Sequence, residues 1–405
     1  MQPRQILSLA NFFAAAHFFL LIYVVAPYLA TFMSDGATGL VISGGAVMTL
    51  LAFPFMPQLV RRYGARRLGI GLAGAQAVTL SILAGNPSPI FAVFAVALAA
   101  ALSPLIAYQL DLLLEATIAE ENSTGRIRTA FITAASTALV LSPLFVGFLL
   151  NGTERYDYVF FAAAVSLTPF IMLFLVERLP EGVPPRIERL RSTITCVMHD
   201  RDLRGVVLGS GVLQLFYHLA PIYIPLYLHT ALGMPWDQLG WMFAVALLPF
   251  LFIEFPAGWL ADRYLGDRKL LLAGFIIMGA SFSLLSFVTA TTPALVILFI
   301  LILTRIGAAL VEAMTEGHFF RRITERDASS VMAFRMMRPA GALLAPIAGS
   351  ILLFTGNYGL LFSTTGIMIA ILGAYAVRSM HEVITVAEIP LLVSSPVPQL
   401  QVSEG

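Results

Sequence analysis

The chain is a succession of long hydrophobic runs, cut at short intervals by clusters of charge, Gly, Pro and Asn. A membrane-crossing helix needs about 20 apolar residues. The breaks leave twelve segments of that kind, near 7–30, 38–58, 68–85, 89–112, 128–150, 157–176, 204–228, 238–258, 269–288, 293–315, 329–354 and 357–377. The pattern predicts an all-α membrane protein of 12 transmembrane helices. The first run, from Leu7 to Ala30, has only Arg4 before it and is too long for the core of a signal peptide, so it reads as a retained first helix.

Composition agrees and narrows the function classes. Of 405 residues 59% are hydrophobic and 12% charged, with a mean hydropathy of +0.87, whereas soluble domains carry about 25% charged residues. A soluble fold cannot hide so much apolar surface, and disorder is excluded on the same ground. The 30 Phe, 31 Gly and 23 Pro suit membrane helices, where small residues permit close packing and neighbours re-satisfy broken helices. Cys196 is the single cysteine, the six His are scattered and no C-x-x-C occurs, so neither an internal disulfide nor a metal site is expected, and no cofactor.

The net charge of +1 conceals a positional bias. With both termini in the cytoplasm, 20 of the 24 basic residues fall inside or at the inner edge of a span, among them Arg61, Arg62, Arg66 and Arg67 in one loop and Arg321, Arg322 and Arg326 in another. Only Arg155 lies outside, and Arg305, Arg335 and Arg338 lie within spans. This asymmetry is what the positive-inside rule requires of a protein of the cytoplasmic membrane. It leaves no basic face for nucleic acid.

The longest internal hydrophilic stretch divides the chain into six spans plus six. The expected domains are an N-terminal bundle over 1–176, a cytoplasmic linker over 177–203, a C-terminal bundle over 204–378 and a tail over 379–405. Within the linker Ile187, Leu190, Ile194 and Val197 recur at helical spacing, which fits either a short amphipathic surface helix or a plain solvated connection. The halves also match each other at an offset near 200 residues. Arg62-Tyr63-Gly64 with Arg66-Arg67 corresponds to Arg263-Tyr264 with Gly266 and Arg268-Lys269; Glu115 corresponds to Glu312, and Leu141-Ser142-Pro143 to Leu344-Ala345-Pro346.

Gly258-x-x-x-Asp262-Arg263-x-x-Gly266-x-Arg268-Lys269 resembles the signature loop G-x-x-x-D-R-x-G-x-[RK]-[RK] of the major facilitator superfamily, with one residue inserted before the second glycine. The resemblance implies that family's fold of two pseudo-symmetric six-helix bundles. It also implies a gating role for Gly258, Asp262 and Arg263, the Asp262 carboxylate meeting the helix N-terminus near Arg126 and Arg128, where the dipole favours negative charge. The first-half copy has Pro57 and Arg61 in place of the glycine and the aspartate. These loop charges could equally do no more than enforce topology.

Ionisable groups inside a span are functional candidates by default. On the tenth span Arg305, Glu312 and Glu316 sit at i, i+7 and i+11, one face of a helix. Tyr108, Asp111 and Glu115 form a second such face at the inner end of the fourth span, and Glu254, Arg335 and Arg338 lie at similar depth. Opposite charges there are expected to pair, either as a structural cluster that opens with the gate or as a binding site. Nearer the midplane, Gln214, Tyr217 and His218 form a polar aromatic stripe, and Asn11 and His17 lie on the first span. The resemblance places spans one, four, seven and ten around a central cavity. Histidine, titrating near pH 6.5, can couple protons to transport, although a lone membrane histidine more often bridges helices.

No G-x-x-x-x-G-K-[ST], H-E-x-x-H or G-x-S-x-G is present, which removes ATP-driven transport and the usual membrane-enzyme chemistries. The expectation is a monomeric secondary transporter working by alternating access, surrounded by lipid, with a small-molecule substrate and protons as candidate coupling ion. Two alternatives stand beside it: a drug/proton antiporter, for which Ser142-Pro143-x-x-Val146-Gly147 keeps only part of the glycine-rich turn, and a non-transporting sensor or assembly factor.

Overall fold

The computed structural model describes residues 3–121, 124–176, 179, 190–322 and 328–381; within that range the side chains of 119–121, 124–126, 190–192, 254–255, 262, 320–322 and 328–329 are not described. Among the described residues eleven helices are long and apolar enough to cross a membrane, and a bent pair of helices is so when its two pieces are taken together. They are α1 (Pro3–Ala30), α2 (Asp35–Tyr63), α3 (Ala65–Ala84), α4 (Pro89–Ile118), α5 (Ile127–Leu149), α6 (Tyr156–Val176), α7 (Arg201–Ala231), α8 (Trp236–Phe252 with Pro256–Leu265), α9 (Asp267–Phe287), α10 (Ala294–Phe319), α11 (Ser330–Leu353) and α12 (Tyr358–Ser379). Among the described residues there is no strand.

The hydrophobic pattern predicts the eighth span as one rod, and here the structure differs: its two pieces meet at 43°. Pro256 has no N–H to donate to the preceding turn, so the ladder breaks where the second piece begins. Pro54 stands at the equivalent place in α2, in a short 3-10 turn over Phe53–Phe55. The internal repeat is visible in the backbone as well. Gly64 and Gly266 open α3 and α9 with φ of +80° and +73°, a region a side chain rarely enters, which is the reason for glycine in both copies of the loop.

Packing repeats with a shift of six helices. In the first half α1 packs on α5 and α6, and α3 on α4 and α6; in the second α7 packs on α11 and α12, and α9 on α10 and α12. Fully buried aromatic rings fill each bundle, Phe160, Phe170 and Phe174 in one and Phe216, Phe275, Phe282 and Phe362 in the other. The outer surface carries exposed Phe94, Phe148, Phe161, Phe287, Phe299 and Ile371, apolar side chains that only lipid would cover.

The linker does contain a helix, Leu190–His199. It rests on the start of α11 through buried Thr193, 3.5 Å from the Met332 sulfur, and through Cys196, 3.4 Å from the Ser330 hydroxyl. Ile194 and Met198 point away, more than half exposed. Ile187 lies outside the described residues, as does the tail beyond His381.

Candidate functional site

Among the described residues the bundles join chiefly through two helix pairs, α2 with α11 and α5 with α8, and also where the end of α1 meets α7. Both pairs have the same construction. A β-carbon on Gly39 of α2 would lie 2.6 Å from the Pro346 carbonyl oxygen of α11, and one on Gly240 of α8 would lie 2.6 Å from the Pro143 carbonyl oxygen of α5. The two prolines that the repeat pairs therefore each sit against a glycine of the other bundle. Further ties cross between the bundles at the same end of the molecule. The Tyr358 hydroxyl donates to Asp35 at 2.6 Å, the Ser43 hydroxyl to the Leu343 carbonyl at 3.2 Å, and His229 lies 3.8 Å from Glu154. Tyr23 stacks on Phe243 at 5.0 Å, and Tyr156 meets Trp236 edge to face. This end bears the short turns around 31–34, 150–155 and 232–235, and it is shut.

The opposite end bears the arginine loops, and there the predicted charges stand apart. Asp111, Glu115, Arg128, Glu316, Arg335 and Arg338 are all exposed, and among the described residues none is within 4 Å of an opposite charge. Yet they face one another. The cations whose charge acts on Asp111 of α4 are Arg338, Arg335 and Arg128, the first two from the other bundle; on Glu316 of α10 they are Arg338 and, from the other bundle, Arg128. The pairing expected from the sequence is thus arranged across a gap, not closed. The gap is one end of a cleft between the bundles.

Deeper in the cleft the tenth-span stripe divides. Glu312 is half-buried and accepts a hydrogen bond from the Tyr217 hydroxyl at 2.5 Å, which links α10 to α7. Arg305, two turns further from the arginine loops, is 6% exposed. Its guanidinium lies 5.2 Å from the centre of the Phe216 ring, it is close enough to Tyr23 of the other bundle to act on it electrostatically, and its Nε has no hydrogen-bond partner. Among the described residues no carboxylate lies within 4 Å of it. A charged Arg inside a membrane span costs about 2.5–3.5 kcal/mol on insertion scales, and a cation over an aromatic face recovers about 0.5–2 kcal/mol of that.

Other expected site residues take packing positions. The Asn11 side chain donates to the Phe131 carbonyl at 2.8 Å and ties α1 to α5. His17 is buried against Ser103 at 3.3 Å, and Ser103 also accepts from Gln76, so the three knit α1, α3 and α4 inside one bundle. The His218 Nδ1 bonds the Gln214 carbonyl one turn back, and Gln214 itself lies under Gly341 of α11. Tyr108 meets Phe53 edge to face at 5.5 Å. Among the described residues nothing lies within 4 Å of a β-carbon on Gly258, and Arg263 is exposed over the Trp259 ring at 5.6 Å. The Glu254 and Asp262 side chains, and that of Arg126, lie outside the described residues.

One cluster has no counterpart among the expectations from sequence. His318 of α10 is fully buried, its Nε2 3.3 Å from Asp202 at the start of α7 and its Nδ1 3.5 Å from Asp267 at the start of α9. Asp202 also accepts the His381 backbone N–H at 2.6 Å. The cluster brings α7, α9 and α10 together around one imidazole and, through Asp202, holds the segment after α12. The residues are 51 to 116 positions apart in sequence, and the only hint is Asp267 inside the signature loop.

The Major Facilitator Superfamily model matches residues 206–390. That C-terminal stretch matches the superfamily's model, and the whole chain has the fold of solved transporters. Solved major facilitator structures superpose over nearly the full length at low identity. A point mutant of the nucleoside transporter NupG aligns with a TM-score of 0.74 at 13% identity, covering 93% of this chain and 98% of the other. A bacterial homolog of the human lysosomal transporter Spinster, in an inward-facing and unoccupied conformation, gives 0.70 at 12%, covering 93% and 96%. A bacterial metal transporter gives 0.70 at 14%, covering 94% and 98%. No curated protein sequence matches the chain. These matches are to transporters, not enzymes, and among the described residues no group of three or more His, Cys, Asp or Glu could hold a metal ion.

Proposed function

We propose that the chain is a secondary carrier of the cytoplasmic membrane that moves a small solute by alternating access. Its termini and arginine loops lie in the cytoplasm, so the conformation described above is inward-facing. The observation that carries this reading is the matched pair of glycine–proline contacts closing one end of a cleft whose other end is open and lined with unpaired, facing charges. Rocking the bundles would part Gly39 from Pro346 and Gly240 from Pro143 while bringing Asp111 to Arg338 and Glu316 to Arg128. One ion-pair set and one apolar set would then alternate as gates.

A single chain contains the whole cleft, and the carrier acts as a monomer in lipid. Coupling to protons, where it occurs, runs through Glu312, a protonatable group at the depth where the bundles face each other. Glu312→Gln should keep solute exchange while removing its dependence on a pH gradient. The reading itself is tested with His218→Cys in a Cys196→Ser background and a membrane-impermeant thiol reagent. A carrier is labelled from both faces of the membrane. Labelling from one face under every condition would mean a protein that keeps the fold without turning over.

A further inference from the structure

Arg305 is the one mid-depth charge that the described structure leaves without an opposite charge, although both bundles reach it. Its surroundings are Phe216 of α7 beneath the guanidinium and Tyr23 of α1, itself stacked on Phe243 of α8. The neighbouring acid on the same stripe, Glu312, is held by Tyr217. An aspartate, glutamate or lysine in such a place can shed its charge by gaining or losing a proton. Arginine cannot, because its guanidinium stays charged at any accessible pH. The requirement for a negative partner is therefore permanent, and among the described residues nothing meets it at contact distance.

The structure assigns Arg305 as the anion-binding residue of the central site, and the substrate as a small organic monoanion, in the first instance a carboxylate. This rests on the carrier reading above and gives it a substrate class. The preference for one negative charge follows from the one cation at that depth: a carboxylate leaves the pair neutral, whereas a doubly charged phosphate monoester would bring an uncompensated charge into an apolar site. Planar carboxylates also match the guanidinium fork with two parallel hydrogen bonds. The site joins the bundles, since an anion beside Arg305 lies next to Tyr23 of one and Phe216 of the other. It therefore sits where occupancy can influence rocking.

The test uses the full chain in detergent, with thermal stability as readout and matched probes: benzoate and nicotinate as carboxylates, benzamide and nicotinamide as their neutral counterparts, benzylamine as a cation and phenyl phosphate as a dianion. The carboxylates are expected to raise the unfolding midpoint in a saturable manner, and the others are not. Arg305→Gln should weaken carboxylate binding on the order of 100-fold, the usual worth of a hydrogen-bonded charge pair. Arg305→Lys, which keeps the charge, should retain part of it and guards against a glutamine variant that fails to fold. No shift with either carboxylate, an equal shift with the amides, or carboxylate binding undiminished in Arg305→Gln overturns the assignment. Counterflow in liposomes separates this from the carrier reading. Neutral solutes carried while carboxylates are ignored would remove the anion site and leave the carrier; carboxylates bound through Arg305 without flux would do the reverse.

Discussion

Gly240 shows how little space separates the two bundles. A methyl group there would fall 2.6 Å from the Pro143 carbonyl oxygen and 2.8 Å from the Gly147 α-carbon, both backbone atoms that cannot rotate away. Gly240→Val is therefore expected to disfavour the closed end by about 1–3 kcal/mol, the usual cost of overpacking. The protein should shift toward the opposite conformation, read as faster labelling of a mid-cleft cysteine from the side of the short turns. The same substitution at Gly258, which has nothing within 4 Å among the described residues, should have no such effect. At Tyr217 the chemistry differs. Tyr217→Phe removes the hydroxyl that holds Glu312, and a loss of tenfold or less in exchange rate would make that bond a positioning contact, not an essential one.

At the level of elements, the helix ends on the arginine-loop side are fixed by charge. Asp202 and Asp267 open α7 and α9, and His318 near the end of α10 stands between them. His318→Ala would deprive two buried carboxylates of their shared imidazole. It should destabilise the C-terminal bundle by about 3–5 kcal/mol, the cost of breaking a buried pair from one side. A lower unfolding midpoint in detergent with the N-terminal bundle unaffected would show this; an unchanged midpoint would remove the cluster from the stabilising contacts. The sequence locates each helix here without revealing the cluster. Hydropathy places His318 just past the end of one apolar run and charged residues at the starts of two others, but not that these places converge. The eighth span is likewise legible in position while its 43° bend is not, because a proline signals a break without giving its angle.

For the whole molecule, the prediction is that the two ends cannot be closed at once. Ser43→Cys with Leu343→Cys, in a Cys196→Ser background, places a thiol pair across the closed end, where the Ser43 hydroxyl now reaches the Leu343 carbonyl. Oxidation should abolish flux and reduction should restore it. At the other end, Asp111→Arg and Arg338→Asp should each impair exchange and, combined, recover most of it; a double variant no better than its parents would argue against their meeting on closure.

The amino-acid sequence by itself determined that this chain is a multi-pass helical membrane protein whose spans come as two matching halves. Each of these follows from local properties: run lengths of apolar residues, the side on which arginines fall, and residues that recur at a fixed offset. Gly64 and Gly266 belong to this class, since a positive φ is a local demand. Only the tertiary structure decided which polar residues meet a polar partner and which meet an aromatic ring. His17 and Arg305 look alike in sequence, each a polar residue in an apolar run. One meets Ser103 from α4 through its Nε2, and the other meets a phenyl ring and, among the described residues, no acid. That difference depends on what neighbouring helices bring to the same depth, which no single segment encodes.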